Sequence, residues 1–325
     1  MIIEKNYTDG LSICIPSFNR KKQLARLLES IFAQDLSKIK EVIVLDNSSN
    51  YSMNDIEVQF PSKKLRIIRN PFNIGQAVNM VTPFIHCRTK WMWLISDDDI
   101  AHKDALSIIS QKIKEHSSSS YLKFSIDGVS MASESNKVVN SLKQFIDYYH
   151  QEAPIRRGAL VFISNGVFNL ERLHPFLGRG FEFSYTYIGF LIPVFFSLNN
   201  GGSASFCKEK IITYSAPEGD QWGFDVVGLG MSTLSDLKIH LRLSKRDYKN
   251  FLNIAMAVQY FDLYQNLLKL KTKNPRRVYA SIHNAIYKYY LSPIDRVVSF
   301  FLLISLTIPK PLRFLYGVAY RKLKK

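Results

Sequence analysis

A chain of 325 residues with 46% hydrophobic and 22% charged side chains is too apolar for a disordered polypeptide and long enough for two domains. Its formal net charge of +16 sits at one end: residues 1–239 carry 26 basic and 24 acidic side chains, whereas residues 240–325 carry 17 and 3. Three cysteines, Cys14, Cys87 and Cys207, lack CxxC spacing, which argues against a disulfide framework or a zinc site and fits a reducing compartment.

The first half alternates strand and helix patterns. Leu11–Pro16 is a short, β-branched strand, followed by a helix from about Arg20 to Ala33 whose apolar face is Leu24, Leu27, Leu28 and Ile31. Strands are expected at Glu41–Leu45, Leu65–Arg69, Trp91–Ile95 and Tyr121–Ile126, with helices at Asn73–Val81 and Ala101–Lys114 between them. That alternation predicts an α/β fold, a doubly wound sheet with helices on both faces. After about residue 150 the rhythm changes. Ala159–Ile163 reads as a short strand, Tyr185–Leu198 as a buried apolar helix and Ile211–Tyr214 as another strand. A glycine-rich loop holding Gly219, Trp222, Gly223, Gly228 and Gly230 follows, with Trp222 a candidate lid residue. From Ser232 onward the pattern is helical, so the division is drawn at residues 1–230 and 231–325.

Ligands in a doubly wound sheet bind at the C-terminal ends of its strands. Here those ends read Pro16-Ser17-Phe18-Asn19, Asp46-Asn47-Ser48, Asn70-Pro71 and Ser96-Asp97-Asp98-Asp99. Asp46 alone fits an Asx turn. Three adjacent aspartates after five apolar residues exceed what a helix cap requires; their repulsion calls for a cation, and Mg²⁺ and Mn²⁺ favour carboxylate oxygens. The turn IPSFNRKKQL lacks G-x-G-x-x-G and the chain lacks a P-loop, which disfavours dinucleotide-binding and P-loop ATPase readings. The histidines show no metal-ligand spacing.

Four segments, LSICIPSFNRKKQLARLLESI, EVIVLDNSSN, NIGQAVNM and WMWLISDDDI, together resemble the N-terminal half of family 2 glycosyltransferases with the GT-A fold. The resemblance spans about residues 10–110 and extends to bacterial surface-polysaccharide enzymes of O-antigen or capsule type. It implies inverting transfer of a sugar from a nucleotide-diphosphate donor, assisted by Mn²⁺ or Mg²⁺. By the same resemblance Pro16, Ser17 and Asn19 line the nucleotide, Asp46 meets the base, and Asn73 and Gly75 lie near the ribose or donor sugar. Asp97, Asp98 and Asp99 stand at the DxD position, with Asp98 nearest the ribose or sugar and Asp99, with Asp97, holding the metal. Relatives often carry another aspartate where this chain has Ser96, which leaves two registers for that motif. On the acceptor side the resemblance implies a carboxylate base, because the attacking alcohol must lose a proton. Glu182 is the candidate, Glu171 the second choice, and a helix cap the structural alternative for Glu182.

The basic end adds a partner. Val297–Ile308 is an apolar run of twelve residues, short of the roughly 20 that a spanning helix needs. Leu312, Tyr316, Ala319 and Leu323 then share one stripe, with Arg313, Tyr320, Arg321 and Lys324 on another face. This pattern suits an anionic membrane surface, apolar side down; a solvated tail or a dimerising helix is the plainer alternative. Nucleic acid is disfavoured because no nucleic-acid-binding motif accompanies the charge. The N-terminus shows no secretory pattern. The expected setting is therefore cytoplasmic and peripheral on the inner face of the plasma membrane, with a lipid-linked glycan acceptor. Two competing functions are a sugar nucleotidyltransferase, disfavoured by the glycine-free first turn, and a non-catalytic polyanion-binding protein.

Overall fold

The computed structural model describes residues 6–125, 136–151, 161–213 and 232–252. The chain divides into two compact units, Met1–Phe145 with Ala159–Gly219, and Ile146–Gly158 with Asp220–Lys325. The first unit is built on one mixed sheet, eight strands wide among the described residues.

Its first half is the parallel set expected from the apolar runs. β1 (Thr8–Ser17) lies between β2 (Glu41–Asp46) and β4 (Thr89–Leu94), parallel to both, and β3 (Leu65–Arg69) extends the sheet beyond β2. Ile13, Cys14, Ile15, Val42, Ile43, Val44, Met92, Trp93 and Leu94 are buried, which is why these strands read as continuous hydrophobic runs with no alternation. Helix α1 (Lys21–Phe32) buries Leu24, Leu27, Leu28 and Ile31, the face marked by helical spacing. α2 (Asn54–Gln59) is a short helix that the sequence pattern does not mark. The helix expected at Asn73–Val81 is the single turn α3 (Gln76–Asn79), followed by a second turn α4 (Pro83–His86). The one expected at Ala101–Lys114 is α5 (Ala105–Glu115), which starts after the two-residue strand β5 (Ile100–Ala101).

The second half departs from the simple alternation. Between β4 and β6 (Tyr121–Ser125) runs β8 (Gly166–Asn169), antiparallel to both. The strand expected at Ala159–Ile163 is absent from its described residues; the chain pairs a few residues later, where Gly166 and Asn169 had masked the signal. Gly166 is required there for space, since a Cβ would meet Tyr121 Oη at 2.6 Å. β9 (Ala204–Lys210) lies parallel to β6 and pairs on its other side with β7 (Lys137–Val139). β10 (Ile212–Thr213) pairs with β5 in a separate two-stranded sheet. The expected helix at Tyr185–Leu198 is really a 3-10 turn, Ser184–Thr186, and a helix confined to Ile192–Asn199. Tyr187 at φ 63° breaks the path, and Pro193, in the first turn, suits the helix start.

In the second unit the 3-10 run Ser232–Ile239 leads into a helix over residues 245–252. Leu234, Leu237, Phe251 and Leu252 are buried, and Tyr248 Oη donates to the Leu234 carbonyl at 3.4 Å. Trp222 and the whole basic apolar segment from Val297 onward lie outside the described residues. Among the described residues no helix is long and apolar enough to cross a membrane.

Lys123 on β6 is wholly buried, and its Nζ donates to the Phe162 carbonyl at 2.7 Å. Loss of hydration holds its pKa well below the ordinary 10.5. Between that lowered value and 10.5 the unfolded chain binds a proton that the folded chain lacks, so stability rises with pH across the window. Denaturant titrations from neutral pH upward should show this rise in the wild type, by at most about 1.4 kcal/mol per pH unit. Lys123→Met should lack that slope; parallel profiles for the two proteins would contradict a neutral buried amine.

Candidate active site

β1 is where the strand order reverses, with β2 and β3 on one side and β4 on the other, and ligands of such sheets collect at the C-terminal ends beside that point. The residues expected there do meet there. Ser17 ends β1 and Asp46 ends β2, paired in register, and Asp97–Asp99 follow β4 by three residues. Ser17 Oγ donates to Asp97 Oδ2 at 2.7 Å, joining β1 to the acidic turn.

The aspartates are buried and arrive with their counter-charges. Arg20 Nη1 lies 2.9 Å from Asp97 Oδ1 and 2.9 Å from Asp98 Oδ2. Ser96 Oγ donates to Asp98 Oδ1 at 2.6 Å, and Arg26 Nη2 to the Asp98 carbonyl at 2.9 Å. Ser164 Oγ donates to Asp99 Oδ2. Burial pushes the Asp97 carboxyl up to about 6, against the opposing pull of Arg20 and Ser17. The repulsion that pointed to an external cation is thus met by Arg20 at the start of α1 and by three serines, while Arg26 of α1 holds the Asp98 backbone.

Mn²⁺ or Mg²⁺ at Asp97 and Asp99 does not fit this arrangement. Both oxygens of Asp97 and both of Asp98 accept from protein donors, one of them a guanidinium, and Asp99 faces Ser164. Among the described residues no group of three or more His, Cys, Asp or Glu could hold a metal ion.

Asp46 is fully buried. Its Oδ1 accepts from Ser49 N at 3.0 Å, the Asx-type turn that its sequence context allowed. Arg69 Nη1 stands 3.2 Å from Oδ2, a charge contact that falls outside hydrogen-bond geometry. Pro16 is half-buried, while Asn19, Asn73 and Gly75 are exposed at the same edge. Asn19 and Ser48 have φ of 56° and 65°, an unusual conformation for side-chain-bearing residues, and Gly75 has φ 84°. The bonds Asn19 N to Ser49 Oγ at 2.8 Å and Asn50 N to Asn19 Oδ1 at 2.7 Å hold the first two loops together. Asn47 braces the third: its Oδ1 accepts from Ile74 N and Asn70 Nδ2, and its Nδ2 donates to Asn73 Oδ1 at 2.7 Å.

Glu182 belongs to the first unit as well. It is the last residue of the helix Leu177–Glu182, exposed, and paired with Arg179 at 2.6 Å, so it neither starts nor N-caps a helix. Two residues later the turn Ser184–Thr186 packs near α3, and a Cβ on Gly189 would meet Val81 at 2.9 Å. Glu171 is exposed and paired with Lys90.

Sequence reading missed Arg20, Arg26, Ser164 and the Asn47 bracing. A demand for positive charge was legible in the three aspartates, but nothing local in the chain says which of its basic residues meets it.

Residues 12–164 match the family model described as Glycosyl transferase family 2. This region is a family 2 glycosyltransferase domain. Over 266 residues, 77% of this chain and 78% of the other, the sequence is 23% identical to Abequosyltransferase RfbV of Salmonella typhimurium. The glycosyltransferase fold is GT-A, similar to S. aureus TarS 1-349 in complex with UDP-GlcNAc, with a TM-score of 0.65, 15% identity and coverage of 96% of this chain and 92% of that one. It is also similar to the mannosyltransferase PcManGT of Pyrobaculum calidifontis in complex with GDP-Man and Mn²⁺, with a TM-score of 0.50, 14% identity and coverage of 96% and 84%.

Ser164 Oγ serves two groups of this domain at once, donating to buried Asp99 and accepting from Ser96 N at 2.9 Å. Ser164→Ala should therefore cost about 2–4 kcal/mol in urea unfolding, more than one exposed hydrogen bond accounts for. An unchanged midpoint would mean that Asp99 does not depend on this serine.

Proposed function

We propose that the chain is an inverting glycosyltransferase moving a sugar from a nucleotide-diphosphate donor to a lipid-linked glycan, in bacterial surface-polysaccharide biosynthesis of O-antigen or capsule type. The observation that carries this reading is the meeting of Ser17, Asp46 and Asp97–Asp99 at the strand ends beside β1. The UDP-GlcNAc of TarS and the GDP-Man of PcManGT support a sugar-nucleotide donor, and the abequosyltransferase relative supports sugar transfer.

In this reading Pro16, Ser17 and Asn19 line the nucleotide, and Asn73 and Gly75 border the ribose or donor sugar. Asp97 and Asp98 face the ribose and sugar. Asp46 accepts an N–H from the base through Oδ2, which has no hydrogen bond in the donor-free protein, once Arg69 turns outward. The acceptor hydroxyl attacks the anomeric carbon opposite the leaving nucleoside diphosphate, so a single displacement inverts the centre. Glu182 is the proposed base, an exposed carboxylate near the turn that approaches α3. The Mn²⁺ of the mannosyltransferase complex supports a cation requirement, and the Arg20 clamp opposes a cation in the donor-free chain. No step is therefore assigned to a metal here.

The catalytic domain is assigned to about residues 1–230. The basic region 231–325 is assigned to peripheral contact with the cytoplasmic leaflet, on its charge of 17 basic against 3 acidic residues beyond residue 239.

Transfer from a panel of sugar nucleotides to a lipid-linked acceptor tests the whole reading, and no transfer together with no nucleotide binding would overturn it. Within that assay, Asp46→Ala should weaken nucleoside-diphosphate binding by about 10- to 100-fold, the worth of a hydrogen bond to a charged group. Glu182→Gln should lower kcat by about 100-fold or more with the donor KM preserved; an unchanged kcat removes Glu182 from the mechanism.

Sedimentation with anionic vesicles tests the C-terminal assignment. Binding should fall as salt rises, because exposed charges are screened over about 8 Å at physiological ionic strength. Truncation after about residue 290 removes the apolar run and seven of the basic residues, so it should weaken vesicle binding and transfer to a lipid-linked acceptor while leaving nucleotide binding intact. A full-length protein that ignores anionic vesicles at low salt has no such membrane contact.

A further inference from the structure

A guanidinium shared by two carboxylates stands where it repels any divalent ion that those carboxylates would take up. Arg20 Nη1 contacts Asp97 Oδ1 and Asp98 Oδ2 at 2.9 Å each, with side chains only 17%, 4% and 11% exposed. Charges this far from water are screened little, and removing one partner of such a group leaves the others uncompensated. The remaining oxygens are engaged as well, Asp97 Oδ2 by Ser17 and Asp98 Oδ1 by Ser96. The clamp is anchored from the other side by Arg26 of α1, which holds the Asp98 carbonyl at 2.9 Å and so fixes the turn against the helix that Arg20 precedes.

We propose that Arg20 and a divalent cation are alternative occupants of the Asp97–Asp98 carboxylates, so that the donor-free protein excludes Mn²⁺ for as long as Arg20 is seated. Arg20 is then a positioning residue. It keeps the acidic turn folded without a metal, and its guanidinium is the group that an incoming diphosphate, a better bidentate partner, draws away. Cation and nucleotide binding become coupled through one side chain. The inference builds on the reading of this turn as the donor site, but its test needs no transfer reaction.

The test is a Mn²⁺ titration of the full-length, nucleotide-free protein, following free Mn²⁺ by electron paramagnetic resonance and Tm in parallel. Wild type should bind no stoichiometric Mn²⁺ and show no Mn²⁺-dependent rise in Tm. Arg20→Met should bind one equivalent, at least about tenfold more tightly, because the freed carboxylates gain a counter-ion they otherwise lack. Adding Asp97→Asn to that variant should abolish the binding. Arg20→Lys, which keeps the charge without the planar fork, should fall between wild type and Arg20→Met. One equivalent of Mn²⁺ bound by the wild type as tightly as by Arg20→Met overturns the proposal, as does a folded Arg20→Met that binds none. Should Arg20→Met fail to fold, the wild-type and Arg20→Lys titrations decide: Mn²⁺ bound equally by both overturns it, and graded binding supports it. Failure of nucleotide binding would overturn the donor-site reading and leave these titrations decisive for Arg20.

Discussion

Negative charge gathered at the end of a buried strand has to be balanced before the sheet beneath it can close. β4 carries Trp91–Leu94 into the core, and the chain emerges as three consecutive aspartates that remain buried. Carboxylates out of water are costly unless each finds a cation or a set of donors. The structure supplies both: Arg20 between Asp97 and Asp98, Arg26 on the backbone, and Ser17, Ser96 and Ser164 on the remaining oxygens. These partners come from the end of β1, from α1 and its start, from the acidic turn itself, and from the segment leading into β8. One electrostatic requirement therefore ties together the elements that border the site.

A second network does the same for the neighbouring loops with neutral groups. Asn47, Asn70, Asn73 and Asn79 exchange side-chain hydrogen bonds and hold the chain after β3 against the end of β2. Asparagine can donate and accept at once, so a few such side chains fix loops that have no sheet partners. With Asn19 and Ser48 in the left-handed region, the edge facing a ligand is held in a conformation that the chain would not adopt in isolation. Rigid loops of this kind favour binding, because little ordering remains to be done when a ligand arrives.

The second half of the first unit is organised differently. β8 runs against its neighbours, Lys123 spends a buried amine on the Phe162 carbonyl, and Tyr121 packs on the bare Cα of Gly166. All three arrange the segment that carries Ser164, and through Ser164 they bear on Asp99. The acidic turn thus feels both halves of the sheet. Glu182, by contrast, sits at an exposed helix end with an arginine of its own, and its place in the chemistry is a proposal resting on chain proximity to α3.

What the sequence by itself determined was whatever depends on near neighbours in the chain. The apolar runs of β1, β2 and β4 and the helical face of α1 are local patterns, and they carried the doubly wound half of the fold and the meeting of Ser17, Asp46 and Asp97–Asp99. Only the tertiary structure decided the partners. Arg20 and Asp97 are 77 positions apart and Ser164 and Asp99 are 65, and no periodicity reports which of many basic or hydroxyl side chains will close such a distance. The same holds for β8, whose short stretch between Gly166 and Asn169 becomes a strand because β4 and β6 each offer it an unpaired edge. A charge that must be buried is written in the chain as a run of aspartates; the identity of the cation that balances it is settled only when the strands have brought their ends together.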